Sequence, residues 1–175
     1  MQTTNRASVV FGTLLIGLGI FLLVARFVPG LTLGTAWPII FAFLAIAFYL
    51  PAIFWPSARP GLAGLYIPGT ILLVLGLIFS YNTLTEDWES WAFAWLLIPA
   101  GVGLGLTLAS WVGKWGRTPQ QVGFWMVLVN VSLFALTAVF FGEPILKSIA
   151  PALLILVGLL IGVTSFIKPR QPKGS

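Results

Sequence analysis

Residues 62–80 read LAGLYIPGTILLVLGLIFS, nineteen positions without one charged side chain. A helix rises about 1.5 Å per residue, so this run nearly matches the ~30 Å hydrocarbon core of a bilayer. Outward from it lie five further runs free of Asp, Glu, Lys and Arg, at residues 7–25, 35–54, 90–111, 121–141 and 148–167. The whole chain follows suit: of its 175 residues 59% are hydrophobic and only 7% charged, with a mean hydropathy of +1.05. A soluble domain carries roughly 25% charged residues. The expectation is an all-α integral membrane bundle of six transmembrane helices. Six helices of about 20 residues leave about 55 for loops and ends, too few for a folded extramembrane domain. Residues 1–175 therefore read as a single transmembrane domain. The first run follows Arg6 but has no small-x-small cleavage site before Arg26, so it reads as a retained helix.

Cysteine and histidine are both absent. That removes thiol nucleophiles, imidazole bases, haem axial histidines and the usual zinc ligand sets. Acid-base chemistry needs positioned titratable groups, and the spans contain none that ionise readily, so the chain is expected not to be an enzyme and to hold no cofactor or metal.

Lys and Arg in short loops stay on the cytoplasmic side. With alternating spans, Arg6, Arg59, Lys114, Arg117, Lys168, Arg170 and Lys173 share the side of both termini, against Arg26 and Lys147 on the other. All four acids, Glu86, Asp87, Glu89 and Glu143, fall opposite the termini. This predicts a multi-pass protein of the cell inner (plasma) membrane with both termini cytoplasmic, ending in a basic tail at residues 169–175. The net charge of +5 is dispersed over short juxtamembrane segments without a reader domain, which points to the lipid surface rather than nucleic acid.

A hairpin recurs every 55 to 57 residues. Its first helix reads GTLLIGLGIF from Gly12 through Gly19, GTILLVLGLIF from Gly69 through Gly76, and more loosely GFWMVLVNVS from Gly123 through Asn130. Its second helix opens Ala36-Trp37-Pro38, Ala94-Trp95-Leu96 and Ala150-Pro151-Ala152, each followed by a small residue at Ala45, Gly103 and Gly158. Repeats with an even number of spans enter the membrane in the same direction, so the prediction is three parallel helical-hairpin repeats, at about 7–56, 62–113 and 121–168.

This glycine-spaced first helix and Trp-Pro opening of the second resemble the LiaF-like transmembrane region of bacterial cell-envelope stress proteins. The resemblance is best over residues 12–47, fair over 69–105 and weak over 123–162. It implies a role in regulating membrane-bound sensor kinases. Together with the sequence it predicts a non-catalytic accessory or regulatory partner of another membrane protein, or a homo-oligomer. The alternative is a small transporter or channel for an uncharged or lipophilic solute, which would lack the buried ionisable residues of most ion pathways.

Gly101 and Gly105, like Gly158 and Gly162, place two glycines on one helix face for close packing, and Gly12, Gly17, Gly19, Gly69 and Gly76 are assigned the same role. Pro38 and Pro151 read as helix starts, whereas Pro68 and Pro99 are expected to kink their spans. Asn130 is the most polar side chain expected at membrane depth, bonded to a backbone carbonyl or to Thr13, Thr70 or Ser132, or else contacting a solute. Thr85 is expected to cap a helix whose first turn carries Glu86, Asp87 and Glu89. With Trp88 and Trp91 these acids form a candidate partner-docking segment. Trp37, Trp55, Trp95, Trp111, Trp115 and Trp125 lie near span ends, as interfacial indoles do.

Overall fold

Backbone groups facing hydrocarbon must be paired within their own segment, which leaves a chain this apolar the choice of helix or closed barrel. The computed structural model describes residues 3–27 and 33–167, and every regular element among them is helical. The elements are α1 (Thr3–Phe27), α2 (Leu33–Ala36), α3 (Ile39–Phe54), α4 (Arg59–Leu62), α5 (Tyr66–Thr85), α6 (Trp91–Ala94), α7 (Leu97–Gly113), α8 (Arg117–Phe141) and α9 (Pro144–Ile167). Short 3-10 turns, Pro56–Ala58 and Ala63–Leu65, flank α4. Four stretches are long and apolar enough to cross a membrane: Pro56–Thr85, Trp91–Gly113, Arg117–Phe141 and Pro144–Val163. They mark the chain as a membrane protein. In the N-terminal third the apolar helical stretches are shorter, Leu14–Leu23 and Ile39–Phe54. The basic tail expected at residues 169–175, with Lys168, lies outside the described residues.

Contacts between the long helices follow the order of the chain. α1 packs on α3, α3 on α5, α5 on α7, α7 on α8 and α8 on α9. Among the described residues α1 and α9 do not pack closely on each other, so the helices form an open row instead of the ring about a central axis that three equivalent hairpins would build.

Glycine sets the closest approaches. At 3.6 residues per turn, Gly101 and Gly105 share one face of α7, while Gly103 lies roughly half a turn away. A Cβ on Gly101 would stand 3.0 Å from Val74 Cγ2, and one on Gly105 would strike the Thr70 hydroxyl, so this face meets α5. A Cβ on Gly103 would stand 2.6 Å from the Gly123 carbonyl oxygen, and one on Gly123 would strike the Gly103 carbonyl, so the other face meets α8. On the far side of α5, Gly76 lies against Phe41 and the Pro38 carbonyl, and Gly69 lies against the Tyr49 ring. Gly17 meets Phe43. By contrast, a Cβ on Gly12, Gly19, Gly158 or Gly162 would meet nothing within 4 Å among the described residues. These four positions lie on α1 and α9, the two ends of the row.

The prolines mark helix starts more consistently than their positions in the sequence suggest. Pro68 and Pro99 were expected to kink spans, but each is the third residue of its helix, in α5 and α7. A missing N–H costs little in a first turn. Pro151, expected to open a helix, lies two turns inside α9, because Pro144 already takes the first position and Lys147 N–H bonds to the Glu143 carbonyl. Pro38 does precede the first residue of α3.

The openings around Trp37 and Trp95 share one shape. In each, a four-residue helix (α2, α6) ends at alanine, two turn residues follow (Trp37-Pro38, Trp95-Leu96), and a long helix begins. Ala36 and Ala94 are both buried. Ala150, the corresponding alanine of the third stretch, is buried as well, but α9 runs through without a break.

Two contacts fix which connections share an end of the row. Trp115 Nε1 donates to the Pro60 carbonyl at 2.7 Å, tying residues 56–65 to the α7–α8 turn. That turn needs Gly116, whose φ of +99° suits only glycine. Nearby, Arg59 Nε donates to the Ala52 carbonyl at 3.0 Å, placing a cation at the C-terminal end of α3.

Replacing Gly103 with alanine is expected to destabilise the fold by about 1–3 kcal/mol through forced separation of two backbones. Gly158→Ala, with open space around it, is expected to change stability by less than about 0.5 kcal/mol. Reversible unfolding in mixed micelles measures both; equal effects would contradict the row described above.

Candidate functional site

The helical reading of residues 66–85 carries α5 past the point where hydropathy falls, and this reorganises the acidic segment. Thr85 is the last residue of α5, and its hydroxyl donates back to the Tyr81 carbonyl at 2.7 Å, while Glu86 ends the helix in the left-handed region at φ 58°. The expected Thr85 cap is therefore corrected: Thr85 closes one helix and does not open the next. Asp87 instead holds the turn that leads into α6, whose N-cap residue Ser90 makes no side-chain cap of its own. The Asp87 Oδ1 accepts from the Ser90 N–H at 3.1 Å, and the Ser90 hydroxyl donates to the Asp87 carbonyl at 2.9 Å. Asp and Ser form such local turns because their short polar side chains substitute for backbone partners.

Behind this turn stands Asn82, fully buried. Its Nδ2 donates to the Asp87 carbonyl at 2.8 Å and to Ser90 Oγ at 3.2 Å. Its Oδ1 is buried and accepts from no protein group, and the same holds for the Thr83 hydroxyl oxygen. An unpaired amide in an apolar setting costs roughly 2–7 kcal/mol. Sequence reading passed over Asn82 because it lies just beyond residues 62–80. The available signal was spacing: Thr70, Val74, Ile78 and Asn82 recur every four residues, the stripe of one helix face.

Above the turn is a cleft of about 590 Å³ lined by Glu86, Asp87, Trp88 and Glu89 from one connection and by Glu143, Pro144 and Ile145 from another. All four acids of the chain thus line one cleft. They do not form a cluster arranged to hold a metal ion among the described residues. Trp88 is half exposed, whereas Trp91 stacks on Phe79 with ring centres 5.4 Å apart and planes 7° from parallel. Phe79 in turn meets Trp37 at 5.0 Å and Phe41 at 5.2 Å, so the α2–α3 opening belongs to the acidic end.

A second cavity, about 370 Å³ and almost wholly apolar, lies between α5, α7 and α8 and ends at Asn82 and Ser90. It exists because α5 and α8 grip different faces of α7 and leave the face between them uncovered.

Asn130, expected to be the critical buried amide, is only partly buried, and its Nδ2 donates to the Met126 carbonyl of its own helix at 2.8 Å. It stands apart from Asn82. Trp111 is largely exposed at 73%, Trp125 and Trp95 are about half exposed, and the Trp95 Nε1 donates to the Ala92 carbonyl. Trp37 and Trp55 are half-buried. No protein-family model, curated protein or solved structure matches the chain.

Asn82→Ala is expected to lower stability by about 1–3 kcal/mol and to speed hydrogen exchange at the amides of residues 86–90. Asn130→Ala should change stability by less than about 1 kcal/mol. Exchange mass spectrometry in detergent distinguishes them; unchanged protection in Asn82→Ala would refute the structural role of its two bonds.

Proposed function

We propose that this chain is a non-catalytic, multi-pass inner-membrane protein that acts as an accessory or regulatory partner of another membrane protein. In this reading it spans the bilayer six times as three parallel hairpins with both termini cytoplasmic. The observation that carries it is the meeting of all four carboxylates with exposed Trp88 in one cleft at one end of the helix row. Such a surface suits a partner segment with Lys or Arg beside an apolar side chain, since opposite charge steers encounter and an indole supplies buried area. The resemblance to LiaF-like regions, with its implied regulation of sensor kinases, agrees with this role.

Six spans follow if residues 33–54 cross together through the Trp37-Pro38 turn and α1 crosses beside them. The orientation rests on charge. Arg59, Lys114 and Arg117 share the end tied by Trp115 and Pro60, and the acids occupy the other. The second reading, a small transporter or channel for an uncharged or lipophilic solute, draws support from the apolar cavity beside α7.

Two measurements test this reading. The chain has no cysteine, so Ser57→Cys and Glu89→Cys each introduce a single reporter. A membrane-impermeant maleimide should label the second in intact cells and the first only after lysis; the reverse pattern would overturn the orientation. For the partner, protein purified from its own membrane in mild detergent should bring a companion at fixed stoichiometry. That companion should be lost at high salt and from the triple variant Glu86→Gln, Glu89→Gln, Glu143→Gln. A companion retained equally by the variant would remove the cleft from the interface, and a lone chain would remove the accessory role.

A further inference from the structure

The cavity beside α7 has the form of a groove. Val74, Leu77 and Ile78 line it from α5, and Leu97, Ala100 and Leu104 from α7, each set spaced as one helical stripe, with a third stripe from α8. From Leu97 to Leu104 the groove runs about 10 Å along the helix. Its volume of about 370 Å³ is well over twice the roughly 150 Å³ of an apolar cavity that admits benzene. Leu77 and Leu104, 64% and 41% exposed, stand at its sides midway along their helices, so it opens sideways at membrane depth. A molecule entering here comes from the bilayer.

One end of the groove is polar, and the polarity has a sign. Both amide hydrogens of Asn82 are engaged, by the Asp87 carbonyl and Ser90 Oγ. The Ser90 hydroxyl hydrogen is engaged by the same carbonyl. The Tyr81 hydroxyl, also at this end, donates to Asp87 Oδ2 at 3.5 Å, and the acceptor that no protein group serves is the buried Asn82 Oδ1. We propose that this groove binds a lipid alcohol, an apolar chain of about 10 Å or more whose terminal hydroxyl donates to Asn82 Oδ1. A phospholipid acyl chain fits the walls but brings no donor to that oxygen. An ammonium group brings donors but would leave its charge in a nearly wholly apolar cavity with no carboxylate among its lining residues. A neutral hydroxyl satisfies both conditions. The groove shares Tyr81 with the acidic cleft but none of its carboxylates, and it is tested here without any change to those acids, so its failure and that of the partner-docking reading are distinguishable.

The probe is 1-decanol carrying an alkyl diazirine in its chain, photolysed with the full-length protein in phospholipid nanodiscs and mapped by peptide mass spectrometry. The expected result is labelling concentrated on residues 74–82, 97–104 and 127–134. Excess 1-decanol should suppress it at about one tenth the concentration needed with decyl methyl ether, which has the same chain but no O–H to donate. Ala100→Phe, which fills the groove floor, should abolish this labelling while leaving labelling of α9 unchanged. The comparison of alcohol and ether uses the wild-type protein and does not depend on the variant folding. Equal competition by alcohol and ether would overturn recognition by Asn82. Labelling spread over all lipid-facing helices would assign the groove to ordinary acyl chains. Labelling confined to α1 and α9 would mean that a second copy or a partner helix covers the groove. Each of these outcomes refutes the proposal.

Discussion

Everything in this molecule depends on how closely two helix backbones approach where Gly103 of α7 meets Gly123 of α8. Lipid offers no hydrophobic drive for one apolar helix to prefer another over acyl chains, so association rests on dispersion and close contact. Glycine removes the side chains that would keep the axes apart. The same helix presents Gly101 and Gly105 to α5, making α7 the plate to which two neighbours are fixed on different sides. Once those faces are taken, α5 and α8 have to diverge, and the groove is the space they leave.

The polar chemistry follows from the packing. Thr70 sits buried against Gly105, its hydroxyl returned to the Tyr66 carbonyl at 2.8 Å, and about three turns along the same face Asn82 completes the stripe. The two sides on which the helices are connected differ in kind. Trp115 and Pro60 pin a basic end by one hydrogen bond, while Asn82, Asp87 and Ser90 build the acidic end from a knot of local bonds. A turn held that firmly keeps Glu86 and Glu89 in fixed relation to Glu143, which arrives from a distant connection.

Much of this was legible in the sequence. Runs without charge specify helices in lipid, and the paired glycines of residues 101–105 and 69–76 mark α7 and α5 as close-packed, whereas the approach of Gly103 to Gly123 was not singled out. The alternation of basic and acidic connections also anticipated which acids share an end. Other features were hidden for physical reasons. Hydropathy marks where a helix leaves hydrocarbon, not where it stops, so α5 runs five residues beyond residues 62–80 and carries Asn82 with it. Thr85 followed by acids looks like a helix start, but a hydroxyl bonds equally well to the preceding carbonyl one turn back. Proline has the same ambiguity. Its meaning depends on whether the helix has already begun, which in the case of Pro151 was decided by Pro144. Glycine spacing, finally, says that a close approach is permitted; Gly158 and Gly162 have the spacing and no neighbour within 4 Å among the described residues.

The open row has a consequence for how the protein is made. Each long helix packs chiefly on the one before it and the one after, so most contacts between long helices close as soon as the next helix arrives. Local contacts of this kind close short loops and form quickly. Helices leaving the ribosome in order can dock in order, each new arrival completing the surface of its predecessor, with α7 locking α5 before α8 is added. The chain can thus assemble as it is synthesised, and α9 completes the apolar cluster in which its Ala150 joins Phe93 of α6 and Phe134 and Ala135 of α8.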